Sequence, residues 1–359
     1  MKCGIIGLPQ VGKTTLFQVL TRHRPQESHR YGEAQHVGIV LVPDDRLDRL
    51  AKLFPTAKVT YATFEYVDVA AIGKETLKET TYLANLRTMD GLMHVIRLFR
   101  NDAVPHVPGS LDPQRDISNV EVDLILADLG IVENRLERLE KDRKKIKSAE
   151  IEREQNLLEK VRQWIEAGKP LREATWTDAE KKQLRGFGFL SEKPMLIVLN
   201  VGEEQAGELG TIAESARLDL LRDRLQTRIT AIAGNLEAEM ALLPDSEAAE
   251  FMSSYGLMEL GTKRVIRATS EVLGQMVFFT VGEKECRAWN IPRGATALQA
   301  AGAIHSDLEK HFIRAEVVAW DKLLETGGLA EARQTGVLRL EGKDYVAQDG
   351  EIIHIRHSG

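Results

Sequence analysis

The stretch "GIIGLPQVGKTTLF", Gly4 to Phe17, carries the residue types and spacing that hold a phosphate chain. Its centre is Gly7-x-x-x-x-Gly12-Lys13-Thr14. Glycines let backbone N–H groups approach phosphate oxygens without a Cβ in the way, and the helix that follows adds the positive end of its dipole. The flanks fit this reading: "KCGIIGL" is a short apolar strand pattern and "KTTLFQVLTRH" a helical one. Gly7, Pro9, Gln10, Val11, Gly12, Lys13, Thr14 and Thr15 would then wrap the phosphates. Lys13 would reach the β- and γ-phosphates, and Thr14 Oγ would ligate Mg²⁺. Such a loop by itself names neither the base nor the reaction.

The cation needs an acidic partner at the end of a neighbouring strand. "FEYVDVAA" supplies Asp68, expected to hold Mg²⁺ with Thr14, through a water. A helix cap or turn former is the plainer alternative for a strand-end Asp. The base should be read after a later strand, where "LIVLNVGEE" offers Asn200, Val201 and Glu203. Guanine-binding proteins commonly carry Asn-Lys-x-Asp there, the Asp accepting from guanine N1–H and the 2-amino group. Adenine gives that carboxylate no such donor pair. Here Glu203 stands for Asp and Val201 for Lys, and both changes weaken guanine selection. Simple capping of the strand end by Asn200 and Glu203 is the alternative.

Around these residues the chain alternates strands and helices. "VGIVLVPD" (37–44), "ATFEYVDVA" (62–70), "GLMHVIRLF" (91–99), "KPMLIVLNV" (193–201) and "QTRITAIAG" (226–234) read as strands, with helical patterns at Tyr82–Met89 and Glu214–Leu225. Continuous apolar strands in this alternation predict an α/β fold with a mostly parallel sheet. Ile125, Leu129, Val132, Leu136 and Leu139, then Ile151, Leu158, Val161 and Ile165, recur at steps of three and four. They predict an inserted antiparallel helical hairpin with "EKDRKKIKSAE" at its tip. Lys141, Arg143, Lys144, Lys145 and Lys147 there form either a basic finger for RNA or an acidic partner, or an ordinary solvated turn. From about Met276, short alternating strands surround one Ala-rich helix, "TALQAAGAIHSDLEKH", a small α+β module. The expected domains are 1–122 with 191–275 for nucleotide, 123–190 for the hairpin, and 276–359 for the C-terminal module.

Composition narrows the class. At 359 residues with 43% hydrophobic and 28% charged residues, the chain can bury sizeable cores. A net charge of −6 does not advertise nucleic-acid binding, although a local basic patch could. Two cysteines, Cys3 and Cys286, suggest no disulfide framework and fit a reducing cytoplasm. No signal-peptide pattern and no bilayer-length apolar run are evident. His305 and His311 are six apart, off the one-face spacing of a helix, so they predict no metal site.

With these motifs in hand, the chain resembles the YchF / Obg-like ATPase family of translation-factor-class P-loop proteins. The resemblance rests on "GIIGLPQVGKTTLF", "VGIVLVPDDRLDRLAKLF", "FEYVDVA", Asn200 to Glu203, and above all "FFTVGEKECRAWNIPRGATALQAAGAIHSDLEKHFIRAEVVAW" and "RLEGKDYVAQDGEIIHIR". It spans nearly the whole chain. It implies a split nucleotide domain, an inserted coiled-coil hairpin and a C-terminal TGS domain. It also implies ATP preferred over GTP and association with ribosomes. By the same resemblance Ala233 and Gly234 join Asn200, Val201 and Glu203 in base binding. Ile72 matches the apolar residue that the family places where Ras-like enzymes have a catalytic Gln.

The departures concern hydrolysis. The family's Asp-x-Ala-Gly is Asp68-Val69-Ala70-Ala71, its glycine-rich second switch is "KETLKETTYL", which looks like a regular helix, and its first-switch threonine is Gly32 in "GEAQH" (32–36). The base loop reads Ala233-Gly234-Asn235, a further departure. No catalytic residue is assigned. The expectation is a cytoplasmic, monomeric, Mg²⁺-dependent ATP-binding protein with slow or impaired hydrolysis. The alternatives are a non-hydrolysing binding module that docks through hairpin and TGS domain, and a GTP switch. Arg287, Trp289, Arg293, Lys343 and Tyr345 of the C-terminal module could meet RNA, or the aromatics could be core.

Overall fold

The computed structural model describes residues 1–21, 35–73, 76, 79–145, 148–218, 221 and 224–358. They form two compact units, Met1–Gly38 with Glu65–Val272, and Ile39–Phe64 with Leu273–Gly359.

The first unit is built on β1 (Lys2–Ile6), β2 (Gln35–Val42), β4 (Ala62–Val69), β5 (Gly91–Arg97), β6 (Met195–Asn200) and β7 (Thr227–Ile232), in sheet order β2-β4-β1-β5-β6-β7. From β4 to β7 the pairings are parallel. Every residue of β5 and β6 is buried, which is why these strands read as unbroken apolar runs. Helices α1 (Lys13–Thr21), α3 (Thr80–Arg87), α7 (Ile212–Ser215), α8 (Gly234–Met240), α9 (Asp245–Ser254) and α10 (Gly261–Val272) accompany the sheet. One expected helix is much shorter than the spacing suggested. The run from Glu214 to Leu225 stops at Ser215, and Arg217 takes φ 56°, a backbone no α-helix continues through.

The expected hairpin is α4 (Pro113–Arg143) and α5 (Ala149–Glu166), followed by the short α6 (Asp178–Leu184). Its first helix starts well before the expected boundary at 123, capped by Asp112, whose side chain accepts from Arg115 N–H. The reason is that α4 serves two cores. Ile117, Val120 and Leu124 pack with the sheet, while Ile125, Val132, Leu136 and Leu139 pack with Leu158, Val161 and Ile165 of α5. Asp128, fully buried on α4, accepts from the N–H groups of Leu190 (2.8 Å) and Ser191 (2.7 Å) where the chain returns to the sheet. Arg172 is buried beside Glu121 and donates to Thr227 Oγ1 at 3.2 Å. At the tip, Lys141 and Lys144 pair with Glu137 and Glu140 at 2.6 and 3.2 Å. The basic run is therefore partly neutralised along its own helix. Lys147 lies outside the described residues.

The second unit has sheet order β11-β10-β12-β8-β9-β3, from β3 (Lys58–Thr60), β8 (Gln275–Thr280), β9 (Glu285–Pro292), β10 (Phe312–Ala319), β11 (Arg339–Glu341) and β12 (Glu351–His357). Residues 39–64 were expected in the nucleotide domain. They group here because β3 pairs in parallel with β9, Val59 opposite Cys286, and Leu47 and Leu50 of α2 (Asp45–Ala51) pack on Phe279 and Val318. The single Ala-rich helix expected at 296–311 is two, α11 (Ala297–Ile304) and α12 (Ser306–Lys310). His305 breaks them: its backbone is extended (φ −164°, ψ 142°) and its Nδ1 accepts from Asp307 N–H at 3.2 Å. Helices α13 (Trp320–Thr326) and α14 (Leu329–Gln334) complete the unit. Trp289 and Tyr345 pack against its core, Arg287 stacking on Trp289 at 4.0 Å, while Arg293 and Lys343 are exposed.

One buried group sets a pH limit. His94 on β5 is 2% exposed, and its Nε2 has no partner among the described residues. Burial, and then the charges of Lys13 and Arg172, push its pKa from 6.5 down to about 3. The folded value lies below the unfolded one, so the stability it permits at neutral pH is lost as pH falls through that window. His94→Leu should therefore flatten the acid decline in unfolding free energy by up to about 1.4 kcal/mol per pH unit between pH 6.5 and 3. Urea titrations at a series of pH values read this; parallel curves for the two proteins would refute it.

Candidate functional site

The phosphate loop leaves β1 at Gly7, whose φ of 148° needs glycine and where a Cβ would sit 2.7 Å from Val95 O. Gly12 has φ 93°, and a Cβ there would lie 2.2 Å from Asn200 Nδ2. Between them Gln10 takes φ 61° without being glycine, and Val11 is buried. Leu16 N–H closes the first turn of α1 on Gly12 O at 2.9 Å, which aims the helix N-terminus at the loop's hollow.

Lys13 and Thr14 stand where the spacing put them. Lys13 Nζ donates to Gly7 O (3.1 Å) and Leu8 O (2.9 Å), capping its own loop. Burial lowers its pKa to about 8, against the upward pull of Asp68. Thr14 Oγ1 donates to Asp68 Oδ2 at 3.1 Å, so the strand-end carboxylate and the loop hydroxyl meet. Burial raises the Asp68 carboxyl above the usual range, with Thr14, Lys13 and His36 opposing. A cavity of about 430 Å³ opens beside them, lined among others by Lys13, Thr14, His36, Asp68 and Ala71.

These donors suit Mg²⁺. A hydroxyl and a carboxylate are hard oxygen ligands, and a carboxyl strained by burial is what a divalent cation relieves. Among the described residues no group of three His, Cys, Asp or Glu could hold a metal alone. A cation here would take its remaining ligands from phosphate oxygens and water.

The residues expected at the base lie at and after the carboxyl ends of β6 and β7. Asn200 is buried, donating through Nδ2 to Val11 O (3.0 Å) and accepting from Gly234 N–H at Oδ1 (3.1 Å). Its amide thus ties the phosphate loop to the start of α8. Glu203 is exposed and opens a short 3₁₀ turn, Glu203–Glu208. Ala233 and Gly234, after β7 and at the start of α8, are buried. Val201 goes elsewhere: its side chain packs in the hydrophobic core and its N–H donates to Ile232 O at 2.9 Å.

On the switch side, Ile72 is fully buried in the core and its N–H donates to Gly7 O at 2.9 Å. Its side chain is not offered to the cavity. The helix expected over "KETLKETTYL" begins at Thr80; residues 74, 75, 77 and 78, like Gly32, lie outside the described residues. Two residues near the loop were not singled out from sequence. His36, at the start of β2, lines the cavity. Arg97, at the end of β5, is buried, stacks on Phe99 at 4.4 Å and donates to the carbonyls of Phe99, Asn101, Val104 and, at 3.5 Å, Gln10. A cation closing an apolar strand was the available signal for Arg97. His36 is the last residue of "GEAQH", the stretch matched to the first switch, and that position was the available signal.

Known proteins resemble this chain along its length. Residues 2–201 match the family model MMR_HSR1, described as 50S ribosome-binding GTPase. Residues 275–358 match YchF-GTPase_C, described as a protein of unknown function (DUF933). A Bacillus subtilis (strain 168) protein called ribosome-binding ATPase YchF is 38% identical over 364 residues, 99% of this chain and 99% of its own. The chain belongs to the YchF family. A Pasteurella multocida (strain Pm70) YchF of the same description is 38% identical over 365 residues, covering 99% of this chain and 98% of its own. The solved structure of the Schizosaccharomyces pombe YchF GTPase superposes with a TM-score of 0.85 at 26% identity, over 99% of this chain and 97% of that one. The YchF architecture thus runs from β1 to β12: a P-loop α/β domain, a long inserted helix pair and a C-terminal α+β module.

The Asn200 tie gives a direct test. Asn200→Ala leaves Val11 O and Gly234 N–H unpaired and should cost about 2–3 kcal/mol in denaturant unfolding. Asn200→Asp keeps the acceptor but loses the donor, and should fall between. Wild-type stability in both variants would show that the tie carries no weight.

Proposed function

We propose that this YchF-family chain is a cytoplasmic nucleotide-binding protein that takes ATP in preference to GTP, with Mg²⁺, and hydrolyses it slowly. The observation that carries the reading is the convergence of Lys13, Thr14 and Asp68 on one cavity beside the glycine-shaped loop. Backbone amides from Gly7 to Thr15 and Lys13 would hold the phosphates, while Thr14 and Asp68 would hold the cation, which when bound would screen phosphate charge.

Base preference is supported by Glu203 in place of Asp, and by Val201, whose burial removes the stem that would flank a guanine. Asn200, Ala233 and Gly234 would shape the base pocket through the tie described above. Slow turnover is supported by Ile72, buried away from the cavity, and by Ala70 and Ala71, which bring no side chain able to orient a water. Ribosome association is proposed because curated relatives carry that name, with the hairpin as coiled coil and the C-terminal unit as a TGS-like contact. The same buried Ile72 favours a second reading, a binding module that holds nucleotide without cleaving it.

Calorimetry with ATP, ADP, GTP and GDP in Mg²⁺ should give tighter ATP than GTP binding, lost in Lys13→Ala. Single-turnover assays should give slow ATP cleavage. Binding of none of the four refutes the first reading, tighter GTP refutes the base assignment, and rapid cleavage abolished by Lys13→Ala refutes slow turnover. Binding with no cleavage, alone or with ribosomes, favours the module.

A further inference from the structure

Few side-chain donors that line the cavity beside the phosphate loop are free of protein partners among the described residues. Of the lining side chains that can donate, Lys13 is engaged with Gly7 O and Leu8 O, and Thr14 with Asp68. Ala70 and Ala71 have nothing to offer, and Ile72, next in the chain, is turned into the core. Gln10 and His36 remain, and neither side chain makes a hydrogen bond to another described residue.

The two differ in where they stand. Gln10 belongs to the loop itself. His36 comes from a different element, the start of β2, a strand that neighbours β4 in the sheet, and β4 carries Asp68 near its end. Its ring lies 6.5 Å from that of Phe17 on α1, at an interplanar angle of 41°. It is held by a strand and an aromatic neighbour, and an exposed face is left toward solvent. Position along the cavity also separates it from the base. Asn200, Glu203, Ala233 and Gly234 do not line this space, whereas Asp68 to Ala71 do. His36 is therefore at the cation and terminal-phosphate end, on the strand beside the one that carries Asp68.

We infer that His36 is a specificity-determining residue for the third phosphate: its imidazole N–H donates to the terminal phosphate of a bound nucleoside triphosphate and finds no acceptor in a diphosphate. Imidazole has at least one N–H in either protonation state, so the contact does not depend on titration. A hydrogen bond to a charged phosphate oxygen in a cavity is of the strength that sets a preference between two ligands. The chain thereby discriminates tri- from diphosphate with a side chain at the end of the stretch matched to the first switch, in place of groups from the second. This inference rests on the nucleotide reading above.

The test is the ratio of ATP to ADP affinity, measured by calorimetry in Mg²⁺ on the full chain. His36→Ala should lose roughly tenfold or more in ATP affinity while ADP affinity moves less than about twofold. His36→Gln, which restores an N–H donor, should recover part of the ratio. His36→Phe keeps the ring against Phe17 without a donor and should behave as Ala does, which covers the case of an Ala variant that does not fold. Equal weakening of ATP and ADP, no change in either, or a Phe variant with the wild-type ratio overturns the role of His36 and leaves nucleotide binding standing. A wild-type protein that binds neither nucleotide overturns both.

Discussion

A single carboxamide holds the nucleotide half of this molecule in register. Asn200, at the end of β6, gives one hydrogen bond to the phosphate loop at Val11 and receives one from Gly234 at the start of α8. The close approach leaves no room for a side chain at Gly12, so the glycine and the asparagine require each other. Buried amides of this kind are costly to leave unpaired. The loop's shape, the aim of α1 and the relation between phosphate and base ends of the site all depend on it. Ile72 adds a second tie from the opposite side, through its N–H to Gly7 O.

The rest of the first unit can be seen as support for that junction. Parallel strands β4, β1, β5 and β6 deliver Asp68, Gly7, Arg97 and Asn200 to the same edge of the sheet, because parallel strands share a carboxyl end. Arg97 adds a buried cation whose partners there are backbone carbonyls, a positive field beside a site for polyanions. Asp68 is kept reluctant to ionise by burial, and Lys13 reluctant to stay charged. Each would be eased by a ligand of opposite charge, phosphate for Lys13 and a cation for Asp68.

What could be read from sequence follows the range of the interactions involved. The phosphate loop depends on residues within one turn, and Thr14, picked out with Asp68 from sequence, does reach that carboxylate. The hairpin was legible from its three-and-four spacing, but its start was not, since Ile117 and Leu124 continue the same stripe into a different core. Asn200 was recognised by position, yet its task was hidden because its acceptor is 189 residues away. Val201 looked like a base contact and is core. The grouping of residues 39–64 with the C-terminal unit turns on β3 pairing with β9, a long-range parallel contact with no local signature. The break at His305 was masked by an alanine-rich run that favours helix on both sides.

Helix α4 is unbroken through its 31 residues, and its opening turns belong to the sheet's core while its far end belongs to the hairpin's. At 1.5 Å per residue it is a rod of about 45 Å. His106 and Arg115 brace its start by hydrogen bonds to the buried Asp116, at 2.7 and 2.9 Å. A rod gripped at one end multiplies angle into distance: a tilt of about 5° at the grip sweeps the far end by roughly 4 Å. The hairpin tip is in that sense a pointer whose pivot lies in the nucleotide domain.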